Sequence, residues 1–459
     1  MLCAIRGSLK VFIMHKEGEF DIDIEHLSKI EGHTDLEIKV KGGHVEYAHL
    51  KIGEAKRFFT QGVRGKSCLN VAQLVSRICG TCSIAHLTCC IEAVESAMKI
   101  TPSDQTRVLR NLTVDGLMIR DHAMHLYLFC LPDIMNADSV LEIAERDKSI
   151  IEKAFEVKSA GNELSKLVAG RSVHATYPNI GGFSKILTNE QAREMAHTLH
   201  HAREHALEFV DLFRDTMPSF SRKTHFIALK NPKYEFIGGE LCSSEGYCIN
   251  QDNFWDHLDR VVMPYSQSTG FEFQGKEYMV GALARMNLNK EALHRDTKKD
   301  TASSLSMFPS NNIFMNNLAQ AVEIVNCIDH GIEYLEGWDF KQEPFKMPKI
   351  QAGNGIGVTE APRGTLYYAL KINEKGLVDY INLVIPTAQN HVNIEKDVAQ
   401  VVEENMGKEE EAMQLEVEKL VRAYDPCMSC ATHFLRLKWK GKNAKKPRNP
   451  WLFDAEGKK

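Results

Sequence analysis

Two Cys-x-x-Cys pairs, Cys79-Gly-Thr-Cys82 and Cys427-Met-Ser-Cys430, stand 345 residues apart in a chain of 459. Any fold in which they work together must bring an early segment against the C-terminal one. Within each pair the three-residue spacing puts both thiols on one side of a turn or helix start, about 5–6 Å apart at Cβ and close enough to grip one metal. Four thiolates gathered in this way suit a soft or borderline transition metal. Gly80 permits unusual backbone angles, while Pro426 fixes its own and stops a preceding helix. A helix N-terminus at either pair stabilises thiolates. His86, four residues after Cys82, shares its face of a continuing helix and can donate a hydrogen bond to the sulfur.

Spacing alone leaves other readings open. A structural four-cysteine zinc site normally draws its pairs from one small loop-rich module, which the long separation disfavours. A dithiol redox motif needs only one pair, and neither follows the strand of a recognisable βαβ unit. A lone cysteine is most often a small core hydrophobe. Cys130 in HLYLFCLPD and Cys327 in VEIVNCIDH fit that description. Twelve cysteines in this length are too sparse for a disulfide-built scaffold and point to a reducing compartment.

Composition excludes little but matters here: 25% charged residues and a net charge of −5 produce no overall field for nucleic acid or an acidic membrane surface. No apolar run approaches the roughly 18 residues that cross a bilayer, so no direct membrane span is expected. Residues 1–13 lack the apolar core of a secretory leader and read as a ragged start, with Met14 as the other candidate initiator.

Residues 20–50 alternate apolar and charged side chains around Gly42-Gly43, the pattern of antiparallel strands. Helices dominate afterwards, with apolar residues at three- and four-residue spacing over 69–99, 107–131, 139–168, 189–217 and 290–334. Residues 225–288 read as extended, ending in the hairpin-like GFEFQGKEYMVGALARMNL, and a further extended patch covers 353–385. A last helix over 398–424 leads into the second pair. Residues 1–433 read as a single interwoven domain. Beyond His433 the sequence turns basic and aperiodic (FLRLKWKGKNAKKPRNPWLFDAEGKK), either an appendage or a solvated terminus.

The flanks of the two pairs, Arg77-Ile-Cys-Gly-Thr-Cys82 with His86 and Asp425-Pro-Cys-Met-Ser-Cys430 with His433, resemble the signatures of nickel-iron hydrogenase large subunits. The resemblance extends through Lys29-Ile-Glu-Gly-His33, Asp121-His-Ala-Met-His125, Gly181-Gly-Phe183, Tyr278-Met-Val-Gly-Ala-Leu-Ala-Arg285, Glu360-Ala-Pro-Arg-Gly364 and Leu383-Val-Ile-Pro-Thr387. It implies an α+β fold, predominantly α, with a central long-helix bundle, small peripheral antiparallel sheets and both pairs at its base. It also implies the reaction H2 ⇌ 2H⁺ + 2e⁻ by heterolytic cleavage at a nickel-iron centre whose iron carries CO and CN ligands. By position, Cys79 and Cys427 are terminal nickel ligands, and Cys82 and Cys430 bridge to iron.

The same resemblance makes Glu31 the proton relay and Arg363 the cation over the open metal face. On residues alone, Glu31 is a solvated strand carboxylate and Arg363 an ordinary surface or ion-paired arginine. Pro386 and Thr387 match the segment around the cyanides, the threonine hydroxyl being a donor. Asp121, His122 and His125 are placed in the core near the site, the histidines hydrogen-bonded and outside the ligand set.

Family members often ligate magnesium with a glutamate some nineteen residues before the first cysteine together with the C-terminal histidine. Thr60 occupies that position here, a poor ligand for a hard cation, so His433 is only a tentative magnesium ligand. Residues 434–459 are consistent with the extension that a maturation endopeptidase removes after His433. The remaining cysteines form no iron-sulfur motif, so electrons leave through an iron-sulfur small subunit, with further electron-transfer subunits beyond it. The flanks look most like the soluble cytoplasmic group coupling H2 to nicotinamide, deazaflavin or heterodisulfide partners, and a membrane-bound energy-converting group is the runner-up. A non-catalytic hydrogenase-like subunit of a larger redox complex, and a zinc-stapled scaffold, are the competing classes.

Overall fold

Alternation becomes a four-stranded antiparallel sheet in strand order: β1 (Lys10–Lys16), β2 (Glu19–Ile24), β3 (Thr34–Lys41) and β4 (His44–Ile52). Leu36 faces Leu50 and Ile38 faces Ala48 across β3 and β4, so every second side chain is buried, as a half-covered sheet requires. This computed structural model describes residues 10–16, 19–53 and 58–432. The expectations placed on residues 1–9, on His433 and on 434–459 lie outside the described residues. From Lys10 onward the stretch read as a ragged start is a paired strand.

The helices that follow are α1 (Cys68–Val75), α2 (Ser83–Met98), α3 (Asp104–Met124), α4 (Lys148–Ala169), α5 (Asn189–Asp215) and α6 (Met315–Gly337). Their starts are chemically marked. Ser103 caps α3 by accepting from Thr106 N–H, Asp147 caps α4, and Thr188 with Gln191 forms a capping box on α5. α3 packs on α4 and α6, and α5 on the same two, so the four long helices close into the expected central bundle.

Beside the bundle lies an antiparallel sheet of β5 (Gly353–Ala361), β6 (Gly364–Ile372) and β7 (Val378–Val384). α2 crosses this sheet at backbone distance. A Cβ at Gly355 or Gly357 would run into the carbonyl oxygens of Ala93 or Cys89, four residues apart on α2, so only glycine lets the helix lie there. α2 begins at Cys82, and this contact therefore sets the position of the first cysteine pair. After β7 come α7 (Pro386–Asn405), which packs on β4, and α8 (Glu410–Ala423).

Several expected elements are divided. The helix read over 69–99 is interrupted: Cys79 is extended between a 3-10 turn and α2, which turns the first pair inward instead of along a helix surface. Residues 290–334 hold short turns and then α6, because Pro309 cannot continue a helix. The last helix is two, and the first of them starts at Pro386, twelve residues earlier than read. In the extended region Gly270–Phe273 pairs with Leu258–Val261, whereas Ala282–Asn289 is helical. Strands Glu240–Ser243 and Cys248–Asn250 form a hairpin joined by a Cys242–Cys248 disulfide, a pairing absent from the sequence reading.

Candidate metal centre

The four cysteines of the two pairs meet. Cys79 Sγ lies 3.4 Å from Cys427 Sγ, Cys82 Sγ 3.1 Å from Cys430 Sγ, and Cys427 Sγ 3.0 Å from Cys430 Sγ. All four are buried, and their sulfurs lie within 4.8 Å of one another. Cys82 is the N-cap of α2, and Cys427 is the N-cap of the short turn Met428–Ala431. Cys427 N–H donates to Thr387 Oγ1 (2.9 Å), which joins the turn to the first residues of α7.

Glu31 is stitched to the same turn. Its carbonyl accepts from Met428 N–H (3.0 Å) and its backbone bridges Cys427. Its Oε2 lies 3.1 Å from both Cys427 Sγ and Ser429 N. Burial, and after it the charge on Cys79, raise the Glu31 carboxyl above its ordinary range. Burial likewise pushes the Cys427 and Cys430 thiols well up, whereas Cys79, accepting from Cys427 and Cys430, is lowered. Four buried sulfurs that cannot all carry charge unaided are a donor set demanding a cation.

Arg363 lines a small cavity with Cys82, Cys427, Cys430 and His86, walled by Ala361, Leu366, Ile385, Pro386 and Thr387. Its Nη1 donates to Asp121 Oδ2 (2.7 Å), and Nη2 is 2.9 Å from Asp425 Oδ1. Nη2 is thereby ion-paired with Asp425, whereas Nε makes no hydrogen bond, an unusual state for a buried donor. His86 reaches Tyr368 Oη through Nδ1 (2.7 Å) and Cys430 Sγ through Nε2 (3.5 Å), so it faces the second pair.

His122 pairs with Glu323 (2.9 Å). His125 bonds Gln320 (2.6 Å) and the Arg422 carbonyl (2.7 Å). Against the effect of burial, the nearby Asp425 carboxylate raises His125 to about 10. Thr60 is buried in the short helix Phe59–Gly62. Three neighbours were not singled out from sequence as site residues. Asp425 positions Arg363, Tyr368 holds His86, and the Arg120 guanidinium anchors the first pair through the Thr81 carbonyl (2.5 Å). Asp425 and Arg120 sit within or beside quoted motifs, which was their only sequence signal; Tyr368 lies in a strand with none.

The chain belongs to the nickel-dependent hydrogenases, whose family model matches residues 57–171 and 230–433. Family and cysteine quartet together imply a nickel-iron centre. The chain is 32% identical over 425 residues to the sulfhydrogenase 1 subunit alpha of Pyrococcus furiosus, covering 91% of this chain and 98% of that one. It is 25% identical to the NAD-reducing hydrogenase HoxS subunit beta of Cupriavidus necator, covering 95% and 97%. In fold it matches a crystal structure of an NAD⁺-reducing [NiFe]-hydrogenase in the H2-reduced state, with a TM-score of 0.78, 23% identity, and coverage of 90% of this chain and 99% of that one. Among the described residues no helix is long and apolar enough to cross a membrane.

Proposed function

We propose that this chain is the catalytic subunit of a heteromeric hydrogenase running H2 ⇌ 2H⁺ + 2e⁻, and that Glu31, Arg363 and the four cysteines carry the reaction. The observation behind this is the convergence of four buried thiols, with a carboxylate on one sulfur and a guanidinium facing the cavity beside them. When bound, the nickel-iron group supplies heterolytic cleavage of H2 and the redox change. The four cysteines would hold that group, Cys79 and Cys427 as nickel ligands and Cys82 and Cys430 as ligands of nickel and iron.

Glu31 Oε2 is within 3.1 Å of Cys427 Sγ and takes the proton released there. Ser429 N–H orients that oxygen, and Gly32 beside it is exposed, giving the proton a short way out. Arg363 keeps its charge beside the cavity, held by Asp121 and Asp425. Pro386 and Thr387 lie on the wall suited to CO and CN on iron, apolar apart from one hydroxyl. His86 steadies Cys430, and His122 fixes Glu323 behind the site. A magnesium ion held through His433 would have Thr60 in place of a carboxylate, a weak match for a hard cation.

Electrons leave through an iron-sulfur small subunit and further electron-transfer subunits, since the free cysteines among the described residues outside the quartet are buried and form no second metal-holding group. The setting is cytoplasmic, and a maturation endopeptidase cuts after His433. Metal analysis tests the whole reading: nickel and iron together, with infrared bands of bound CO and CN, support it, and zinc alone overturns it. Glu31→Gln should keep both metals while H2/D⁺ exchange falls by about 10²–10⁴-fold. Unchanged exchange removes Glu31 from the proton path.

A further inference from the structure

Away from the quartet, α5 carries His201 and His205 four residues apart, so both imidazoles leave the same face of one helix. Across from them α4 presents Glu156. His201 Nε2 is 3.4 Å and His205 Nε2 3.0 Å from the same carboxylate oxygen, Glu156 Oε2. All three ligand atoms lie within 4.8 Å of one another. Metal–nitrogen and metal–oxygen bonds of about 2.0–2.2 Å in a tetrahedral site place neighbouring ligand atoms roughly 3.3–3.5 Å apart. The carboxylate-to-imidazole spacing is that of a ligand set, supplied by two helices packed together in the bundle.

The surroundings fit the same reading. His205 Nδ1 is buried without a hydrogen bond, and the Glu208 carboxylate lies 3.6 Å away, one helical turn further along α5. A slight closure makes Glu208 accept from Nδ1–H, which fixes the tautomer that leaves Nε2 free to bind a cation. The other Glu208 oxygen is held by Lys153 Nζ at 2.5 Å. Two imidazoles with one carboxylate suit zinc, nickel or copper, and suit magnesium or calcium poorly. His201 and Glu156 are exposed, so the remaining coordination positions open to water.

We propose that Glu156, His201 and His205 form a second, surface metal site for a borderline divalent cation, clamping α4 to α5 independently of the nickel-iron centre. By linkage, a cation bound by the folded bundle and not by the unfolded chain raises the unfolding midpoint. Cobalt(II) is the direct probe, since its visible absorption reports nitrogen and oxygen ligands. The purified hydrogenase complex, treated with chelator to remove loosely held ions, is titrated with Co²⁺ and separately with Zn²⁺ and Mg²⁺. The expected result is one saturable Co²⁺ band per chain, displaced by Zn²⁺ and not by Mg²⁺, with a rise in melting temperature. His201→Asn and Glu156→Gln should abolish the band while H2/D⁺ exchange stays unchanged. Glu208→Gln should weaken binding by about 10–100-fold. Bands of equal intensity in wild type and His201→Asn, or saturation that moves no melting temperature, overturn the clamp.

Discussion

Two buried arginines on neighbouring segments use their donors in opposite ways. Arg285 spends all five N–H groups: Nε and Nη2 on Glu323 (both 2.7 Å), Nη1 on Glu360 (2.8 Å), and the remaining two on the carbonyls of Ala361 (3.1 Å) and Pro362 (3.2 Å). Against the effect of burial, Arg285 holds the Glu323 carboxyl down at about 2. Arg363 spends one hydrogen bond on Asp121, ion-pairs with Asp425 through Nη2 (2.9 Å), and leaves Nε without a partner. The two are interlocked, because Asp121 holds Arg363 while the adjacent His122 holds Glu323. A saturated ion cluster builds the scaffold, and an unsaturated one behind a cavity is held in reserve for what enters it.

The largest effect expected from this contrast is on stability. Arg285→Met leaves Glu323 and Glu360 buried without their cation and should cost about 3–5 kcal/mol, seen as lost soluble complex or a sharply lower unfolding midpoint. Arg363→Lys should leave that midpoint nearly unchanged and lower turnover by about 100-fold with nickel retained, since lysine cannot reproduce the guanidinium fork. A stable Arg285→Met protein alongside an unfolded Arg363→Lys protein would reverse the comparison.

A smaller effect comes from His330, on the same helix as Glu323. Burial, then the neighbouring His294, lower it to about 4. Its folded value lies below its unfolded one, so the unfolded state binds the extra proton and stability falls as pH drops from about 6.5 toward 4. Between pH 7 and 5 the wild type should lose about 2 kcal/mol that His330→Gln does not lose, read from denaturant midpoints at the two pH values. The smallest is Thr387→Val, which removes the acceptor for Cys427 N–H and should cost about 1–2 kcal/mol of stability with all four thiols still present.

Much of the fold was legible where physics is local. Strands β2 to β4 follow from strict alternation, and α3 to α6 from helical periodicity together with caps such as Thr188 and Asp147. A helix start at the first pair was legible in Gly80 and the thiol spacing, whereas the extended backbone of Cys79 was not, because the apolar periodicity of residues 69–99 reads as one helix. Gly355 and Gly357 read as ordinary extended residues until α2 lies on them. At the site, the quartet and the resemblance carried by its flanks were on the sequence from the outset, whereas the contact of His86 with Cys430 was not, since helix spacing says which face a side chain leaves and not what lies opposite.

By itself the sequence determined which chemistry is available: four thiols in two grips, a carboxylate and an arginine in motif segments, and a proline ahead of the second pair. Only the tertiary structure decided that segments 345 residues apart meet within hydrogen-bond distance. It also decided that Glu31 rests on Cys427, and that Arg363 and not Arg285 keeps a donor to spare. The physical reason is that donor satisfaction and burial are properties of what surrounds a group in space, and residues remote in sequence supply those surroundings.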